Sequence, residues 1–331
     1  MDVLFVSGIA DDNQVKAVLD DKGQFQYLLN GSSSVAPSME KSREFRTRRF
    51  ILAGANGRQR YAFPFKPAVI FNEISDADTH GQALSRCIAF CKQQGVPVIN
   101  PPEAIKNTRR DQVADILANI EGVTVPKTIR FIPHTPEDVK AHYEAHFCGP
   151  VLLREAGLHG GKSLTRIENA EQLEQTLYRF AIDGRPYYMS AFKDYKDEQG
   201  HYRKYRIVVV EGVPHLRHMM VDQHWMVHRT ARPFMAKHAE LLNQERALIN
   251  TFHKDLGPRL GQQTEQIAER LKLDYFGIDC HLDKNDNMLI FEANANMNIL
   301  INSEPTPNLW ESPIAAIREH LKGVIQARSQ V

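Results

Sequence analysis

The stretch Gly277-Ile278-Asp279-Cys280-His281-Leu282-Asp283-Lys284-Asn285-Asp286-Asn287-Met288-Leu289-Ile290-Phe291-Glu292-Ala293-Asn294 predicts two strands joined by a polar turn. In the first strand, apolar residues alternate with Asp279, His281 and Asp283. The second strand starts with four apolar residues, which is typical of a buried strand. Side chains two residues apart point to the same face, so Glu292 and Asn294 share a face that the hairpin folds toward Asp279. The stretch therefore brings two carboxylates and an amide oxygen together.

These oxygen ligands predict a metal site. Hard oxygen ligands beside an apolar strand suit Mg²⁺ whose coordination is completed by phosphate oxygens. A hairpin with a merely solvated polar face is the alternative. The hairpin resembles the metal-binding core of the ATP-grasp superfamily, which includes D-alanine–D-alanine ligase, glutathione synthetase and the RimK-type ligases. The resemblance covers residues from about 97 to 298. It implies that Asp279, Glu292 and Asn294 hold a pair of Mg²⁺ ions that bridge the phosphates of ATP.

The composition shows no strong charge bias. The 331 residues are 42% hydrophobic and carry a formal net charge of +1, which argues against nucleic acid or an anionic membrane as the main partner. No apolar run approaches the ~20 residues that span a bilayer. Residues 43–49 contain four arginines, and we expect a solvated loop or a phosphate-facing segment there. The four cysteines lack zinc-type spacing, so we expect reduced thiols in a cytoplasmic protein.

Strand and helix patterns divide the chain into three predicted units, and the fold class is α/β. Residues 1–105 alternate strands with a helix over residues 81–94, which is typical of a βαβ unit and a parallel sheet. The resemblance implies that this N-terminal domain precedes an ATP-grasp fold, in which two α+β lobes grip ATP. Residues 106–190 are the predicted N-lobe, with a helix over residues 107–119, a helix capped by Thr135 and a glycine-rich loop. Residues 191–331 are the predicted C-lobe with the Mg²⁺ site.

The glycine-rich loop reads Ala156-Gly157-Leu158-His159-Gly160-Gly161-Lys162-Ser163 and satisfies the loose P-loop pattern. A P-loop needs a helix directly after it, so that the helix N-terminus meets the phosphates. Residues 163–167 alternate like a strand instead, and we therefore reject that interpretation. In the ATP-grasp resemblance the loop closes over the triphosphate. Gly160 and Gly161 then offer backbone N–H groups and Lys162 a charge, although a simple hairpin turn is the alternative.

The resemblance also implies which cations surround the nucleotide. Members of the superfamily carry two basic residues near the phosphates, and here Arg154 and either Arg109 or Arg110 replace the usual lysines. Arginine keeps the charge but replaces a compact ammonium with a planar fork. Arg206 matches an arginine that reaches the γ-phosphate or an acyl phosphate, and Lys204 shares its face. An exposed position at the start of a strand is the alternative for Arg206.

The adenine contacts follow from position alone. The apolar run at residues 187–192 occupies the place of the segment whose backbone groups bind adenine in the superfamily. We therefore expect Met189, Ser190, Ala191 and Phe192 to contact the nucleotide. An ordinary core strand is the alternative, and the two interpretations are compatible.

The reaction that the resemblance implies is ATP-dependent ligation of a small-molecule or peptide carboxylate to an amine, through an acyl phosphate. The expected catalytic residues are Arg206, Lys162 and Asn296, and a homodimer is the expected assembly. Residues 107–111, 204–206 and 291–297 also look like a bacterial subgroup often attached to tetratricopeptide repeats, although no such repeat is visible here. The alternatives are a nucleotide-binding protein without ligase activity, which the Lys-to-Arg departures motivate, and a phosphotransferase on the same fold.

Overall fold

The first part of the chain forms a parallel sheet. The computed structural model describes residues 1–19, 23–29, 31, 35–40, 42–52, 62–228, 230–302 and 305–330. The elements of this part are β1 (Asp2–Gly8), β2 (Lys16–Leu19), β3 (Phe25–Leu28), α1 (Val35–Met39), β4 (Arg46–Leu52), β5 (Val69–Asn72), α2 (Gly81–Gln94), β6 (Val98–Ile99) and α3 (Pro102–Ile105). The sheet has the order β4-β1-β5-β6 with every pair parallel, as predicted, while β2 and β3 form a separate hairpin.

The arginine-rich residues 43–49 were expected in a loop, and the structure corrects this. They lead into β4, which pairs with β1 so that Arg46 lies opposite Asp2. Arg46 and Arg48 both donate to the Asp2 carboxylate, at 2.7 and 2.8 Å. Both arginine side chains remain largely exposed because β4 is an edge strand. The charged run therefore forms a strand whose charges stay at the surface.

The middle part of the chain forms an antiparallel sheet. Its elements are α4 (Arg110–Ile116), β7 (Val123–Thr124), β8 (Thr128–Phe131), α5 (Pro136–His146), β9 (Val151–Glu155), β10 (Thr165–Ile167), α6 (Ala170–Thr176), a 3₁₀ turn (Leu177–Arg179) and β11 (Tyr187–Ala191). The strand order is β10-β9-β11-β8, whereas β7 joins the next sheet. Thr135 caps α5 in a capping box with Asp138, in agreement with the predicted N-cap. Helix α4 is shorter than the predicted helix over residues 107–119 because Arg109 has the extended conformation of an N-cap.

The last part of the chain forms the C-lobe sheet. Its elements are β12 (Tyr202–Val210), β13 (Val213–Asp222), α7 (Ala231–Ala236), α8 (Ala239–Thr251), α9 (Leu256–Leu271), β14 (Tyr275–Leu282), β15 (Met288–Ala295) and α10 (Glu311–Arg328). The order is β13-β12-β14-β15-β7. Strands β14 and β15 pair antiparallel, which confirms the predicted strand–turn–strand.

Shared apolar cores join two of the three sheets, and the third sheet has a core of its own. Val6 and Ile70 of the N-terminal sheet share one core with Ile278 and Ile290 of the C-lobe sheet. The middle sheet has a core of its own, which includes Phe131, Val139, Leu153, Leu173 and Met189. The N-terminal sheet and the C-lobe sheet are therefore packed together, whereas the middle sheet packs on a separate core. No described helix is long and apolar enough to cross a membrane.

Candidate active site

Two of the predicted metal ligands and Arg206 lie in one row across three strands, which we call the ligand row. Arg206 on β12 is opposite Asp279 on β14, and Asp279 is opposite Glu292 on β15. Asn294 lies two residues beyond Glu292 and borders the same cavity. The register shifts next to this row, which leaves Phe291 as the extra residue of a bulge. The structure therefore brings together the two carboxylates and the amide that the sequence pattern singled out.

Two cations bind Asp279. Arg206 donates from Nε and Nη2 to the two carboxylate oxygens, at 2.7 and 2.8 Å, and Lys204 Nζ donates at 3.0 Å. Burial by itself raises the pKa of Asp279, but Arg206 and Lys204 outweigh burial and hold this pKa below its ordinary value. Asp279 is therefore charged at neutral pH, in the form that binds a metal ion. Lys204, which was expected at the nucleotide, borders the cavity and contacts the carboxylate of Asp279.

Glu292 has a cation of its own. Arg110 donates from Nη2 to Glu292 and from Nη1 to the carbonyl oxygen of Phe291, the latter at 3.2 Å. Burial raises the pKa of Glu292, and the adjacent Arg110 lowers it by more, so that the pKa lies below its ordinary value. Arg109 also lines the cavity but bonds to Asp111 at 3.2 Å. Of the two candidates for the early cation, Arg110 is therefore the one that contacts the ligand row.

Arg154 is a buried cation without a carboxylate partner among the described residues. It is 8% exposed, donates to the carbonyl oxygen of Leu158, and has no described hydrogen-bond partner for its Nε. Burial and the neighbouring Arg110 lower the pKa of Arg154 to about 10. A buried guanidinium with an unpaired N–H is costly, and an anion in the cavity would relieve that cost. The geometry therefore fits a phosphate group at Arg154.

The glycine-rich loop contacts both the C-lobe and the N-terminal domain. Gly160 and Gly161 have φ angles of 69° and 75°, which favour glycine. A Cβ on Gly161 would lie 3.3 Å from Met226 Sδ. On the other side, His159 Nε2 lies 2.8 Å from Asp76 Oδ2. The loop therefore spans the cavity between two parts of the fold.

The flanks of this loop confirm that it is not a P-loop. Strands β9 and β10 pair antiparallel on either side of it, and the next helix begins only at Ala170.

Lys162, an expected catalytic residue, is exposed and does not border the cavity in the described structure. Its position at the outer side of the loop does not support a role at the phosphates.

Strand β11 and the residues after it bring three of the four residues expected to contact adenine to the cavity. Met189 is fully buried in the core of the N-lobe and does not border the cavity, whereas Ser190, Ala191 and Phe192 do. The N–H groups of Ala191 and Phe192 donate to carbonyl oxygens of neighbouring segments, at 2.9 and 2.8 Å. Lys193 also borders the cavity, and within the described chain its N–H has no hydrogen-bond partner. The backbone donor available to a ligand therefore lies one residue beyond the predicted segment, where strand pairing ends.

Asn296, the third expected catalytic residue, is bound to the N-terminal domain instead. Its Nδ2 donates to the carbonyl oxygens of Asn72 and Ile74, at 2.9 and 3.0 Å, and its Oδ1 accepts from Asn100 Nδ2 at 2.6 Å. The residue is 1% exposed and has a φ of 51°, a conformation that asparagine tolerates. Asn296 borders the cavity, and its side-chain hydrogen bonds join the end of β15 to the N-terminal sheet.

The ligand row and Arg154 border a cavity of 580 Å³, which is lined by the middle sheet, the C-lobe sheet and the loop after β5. The carboxylates Asp279 and Glu292 and the amide of Asn294 form one side, and this oxygen set suits Mg²⁺. Arg154, with its unpaired Nε, borders the same cavity and suits a phosphate. The residues present therefore fit both Mg²⁺ and a polyphosphate.

Solved structures share this architecture. The RimK domain ATP-grasp protein from Sphaerobacter thermophilus aligns over 99% of this chain and 100% of its own, with 14% identity and a TM-score of 0.54. VanG D-Ala:D-Ser ligase from Enterococcus faecalis aligns over 98% and 99%, with 10% identity and a TM-score of 0.57. D-alanyl-alanine synthetase A from Vibrio cholerae aligns over 99% and 98%, with 12% identity and a TM-score of 0.52. No protein-family model and no curated protein matches the sequence. The chain has the ATP-grasp fold, as its sequence predicted.

Proposed function

We propose that the protein is an ATP-dependent carboxylate–amine ligase that releases ADP and phosphate. The observation that carries the proposal is the row of Arg206, Asp279 and Glu292 across three strands, beside the buried Arg154, whose Nε has no hydrogen-bond partner among the described residues. This arrangement sets oxygen ligands and cations around one cavity, as phosphoryl transfer requires. Structures that share the fold include a D-Ala:D-Ser ligase and a D-alanyl-alanine synthetase, which supports the same class of reaction.

Binding of ATP would use the charges of the cavity. Arg154 and Arg110 neutralise phosphate oxygens, and the backbone of Gly160 and Gly161 covers them. Asp279, Glu292 and Asn294 would hold Mg²⁺, which polarises phosphate oxygens when bound. Arginine and lysine side chains supply positive charge next to both carboxylates.

The proposed chemistry has two steps. A carboxylate oxygen of the acid substrate attacks the γ-phosphorus, and the bond from that phosphorus to ADP breaks, which gives an acyl phosphate. The amine then attacks the acyl carbon, the carbon–oxygen bond to phosphate breaks, and the amine proton leaves to solvent. Burial lowers the pKa of Arg206, but Asp279 raises it by more, so Arg206 stays charged and stabilises the developing oxyanion. The loop across the cavity excludes water that would hydrolyse the acyl phosphate.

The test is release of ADP and phosphate from Mg-ATP with a panel of amino acids and short peptides, run beside Glu292→Gln. Release that requires both an acid and an amine is the expected result. A stable phosphorylated product without free phosphate would show a phosphotransferase instead. Binding of ATP with no ADP above the Glu292→Gln background would favour a nucleotide-binding protein without ligase activity.

A further inference from the structure

The loop that joins β5 to α2 (residues 73–80), which we call the β5–α2 loop, contacts the other two parts of the molecule. The carbonyl oxygen of Ile74 accepts a hydrogen bond from Asn296 Nδ2, at the end of β15, at 3.0 Å. The carboxylate of Asp78 accepts from the hydroxyl group of Tyr188 on β11, at 2.7 Å. The β5–α2 loop is therefore fixed to the C-lobe sheet at one point and to the middle sheet at another.

Asp76 is a rigid acceptor within the β5–α2 loop. It is 8% exposed, and its Oδ1 accepts from the N–H groups of Asp78 and Thr79, at 2.8 and 3.3 Å. Its Oδ2 lies 2.8 Å from Nε2 of His159, in the glycine-rich loop. Burial raises the pKa of Asp76, but His159 and backbone N–H groups lower it by more, so the carboxylate is charged and the Nε2–H group donates. Asp76 therefore presents one fixed oxygen to the glycine-rich loop.

The glycine-rich loop is held weakly by its own backbone. The N–H groups of Lys162 and Leu164 donate to carbonyl oxygens of the loop at 3.5 and 3.3 Å, whereas an ordinary backbone bond is about 2.9–3.0 Å long. A Cβ on Gly157 would lie 2.6 Å from Cγ2 of Thr79, so the glycine-rich loop passes directly against the β5–α2 loop. The side chain of His159 supplies a short polar contact at this place. This contact therefore fixes the glycine-rich loop beside the N-terminal domain.

We propose that the bond from His159 to Asp76 is a latch that holds the glycine-rich loop across the cavity, so that a bound nucleotide leaves only after this bond breaks. The inference rests on the binding of ATP in the proposed function and adds the contact that closes the site. Both residues are positioning residues, since they set the place of the backbone N–H groups of Gly160 and Gly161. Because Asp76 belongs to the N-terminal domain, the glycine-rich loop can close only when that domain is in place.

The first experiment measures opening of the glycine-rich loop without any ligand. Lys162 is exposed in this loop, trypsin cleaves after lysine, and such cleavage of a folded protein follows the population of the open form. We expect Asp76→Ser and His159→Ala each to speed cleavage after Lys162 about fivefold, the effect of losing an ion pair with one exposed partner. Serine keeps an oxygen for the N–H groups of the β5–α2 loop but is too short to reach His159. Cleavage after Lys140 in α5 reports unfolding of the N-lobe and should stay unchanged.

Two further variants show whether the two side chains act as one contact. The double variant Asp76→Ser/His159→Ala should be cleaved no faster than either single variant, because both substitutions break the same bond. His159→Gln keeps an N–H donor of similar reach and should be cleaved within about twofold of the rate of the unchanged protein. Asp12→Asn and His134→Ala change exposed residues outside the cavity lining, and they should have no effect.

The second experiment measures release of nucleotide. A fluorescent, non-hydrolysable ATP analogue is bound with Mg²⁺ and displaced by excess ATP, and we expect both single variants to release it about fivefold faster. The latch is wrong if either single variant leaves cleavage after Lys162 or nucleotide release unchanged, if the two substitutions have additive effects, or if His159→Gln behaves like His159→Ala. Absence of any nucleotide binding would overturn the proposed function together with the latch. A failed ADP-release assay beside the expected release rates would overturn the ligase function alone.

Discussion

Replacing Glu292 by glutamine removes one negative charge from the ligand row without changing side-chain volume. The substitution removes the charged partner of Arg110. The side chains of Glu292 and Arg110 are 22% and 20% exposed, so the ion pair that is lost is partly buried. Removing one partner of a fully buried pair costs about 3–5 kcal/mol, whereas exposed pairs contribute about 0–1 kcal/mol. The glutamine oxygen still accepts a hydrogen bond from Arg110. We therefore expect the free energy of unfolding to fall by about 1–2 kcal/mol.

Turnover should fall far more than stability. One ligand of the predicted metal site becomes neutral, and the charge that develops on the transferring phosphoryl group loses part of its stabilisation. Losing a preorganised electrostatic contact of this kind lowers kcat by about 10²–10³, or about 3–4 kcal/mol of transition-state stabilisation. The assays are steady-state ADP release, with the substrates that the panel selects, and urea denaturation of the same preparation.

Glu269→Gln is the matched control, because Glu269 is exposed on α9 and lies outside the cavity. It should change neither turnover nor stability. Turnover of Glu292→Gln within about threefold of the unchanged protein would refute the metal assignment, because that factor is below 1 kcal/mol. Glu292 would then be only the ion-pair partner of Arg110.

Four further variants test other parts of the site and fold. Asp279→Asn leaves two partly buried cations without a counter-charge and should lower the free energy of unfolding by about 3 kcal/mol, the low end of the cost for a buried pair, in urea denaturation. Burial lowers the pKa of His215 to about 4, below its unfolded value of 6.5, so stability is complete above pH 6.5 and falls toward pH 4. Urea titrations across this range should show a smaller loss in His215→Gln, by at most about 3 kcal/mol. Arg154→Met should weaken binding of an ATP analogue about 10- to 100-fold in calorimetry, whereas Lys162→Met should change it less than about fivefold.

Local sequence patterns predicted the elements that carry the ligand row. Alternation along two strands places Asp279, Glu292 and Asn294 on one face, and the strand pairing bears this out. Gly95 ends α2 in the left-handed conformation, and Thr135 begins α5. Each of these signals lies within a few residues of the feature that it predicts. Such signals can be read from one sequence because the backbone alone sets which side chains are neighbours.

Contacts between distant parts of the chain could not be predicted from the sequence. Asn296 bonds to a carbonyl oxygen 224 residues away, and nothing near it in sequence indicates that partner. The sequence did not predict strand β4, because several arginines close together are typical of a solvated loop. Residues 46–52 form an edge strand through their pairing with β1, next to Asp2. The backbone donor of Lys193 depends on where pairing of β11 ends, which is decided by the neighbouring strands. In each case the feature depends on a contact with a residue or strand that is distant in sequence.

The separate core of the N-lobe makes this part of the molecule a cooperative unit of its own. Its buried side chains belong to a cluster distinct from the cores that join the other two sheets, so its opening exposes little of their apolar surface. We expect amide hydrogens of β8 to β11 to exchange at a lower free energy than those of β14. Arg154 lies in this unit, so a nucleotide bound as proposed would stabilise the unit by about 2.7 kcal/mol at a concentration of 100 times Kd. Exchange protection of the N-lobe, followed against nucleotide concentration, therefore measures nucleotide affinity without any knowledge of the substrates.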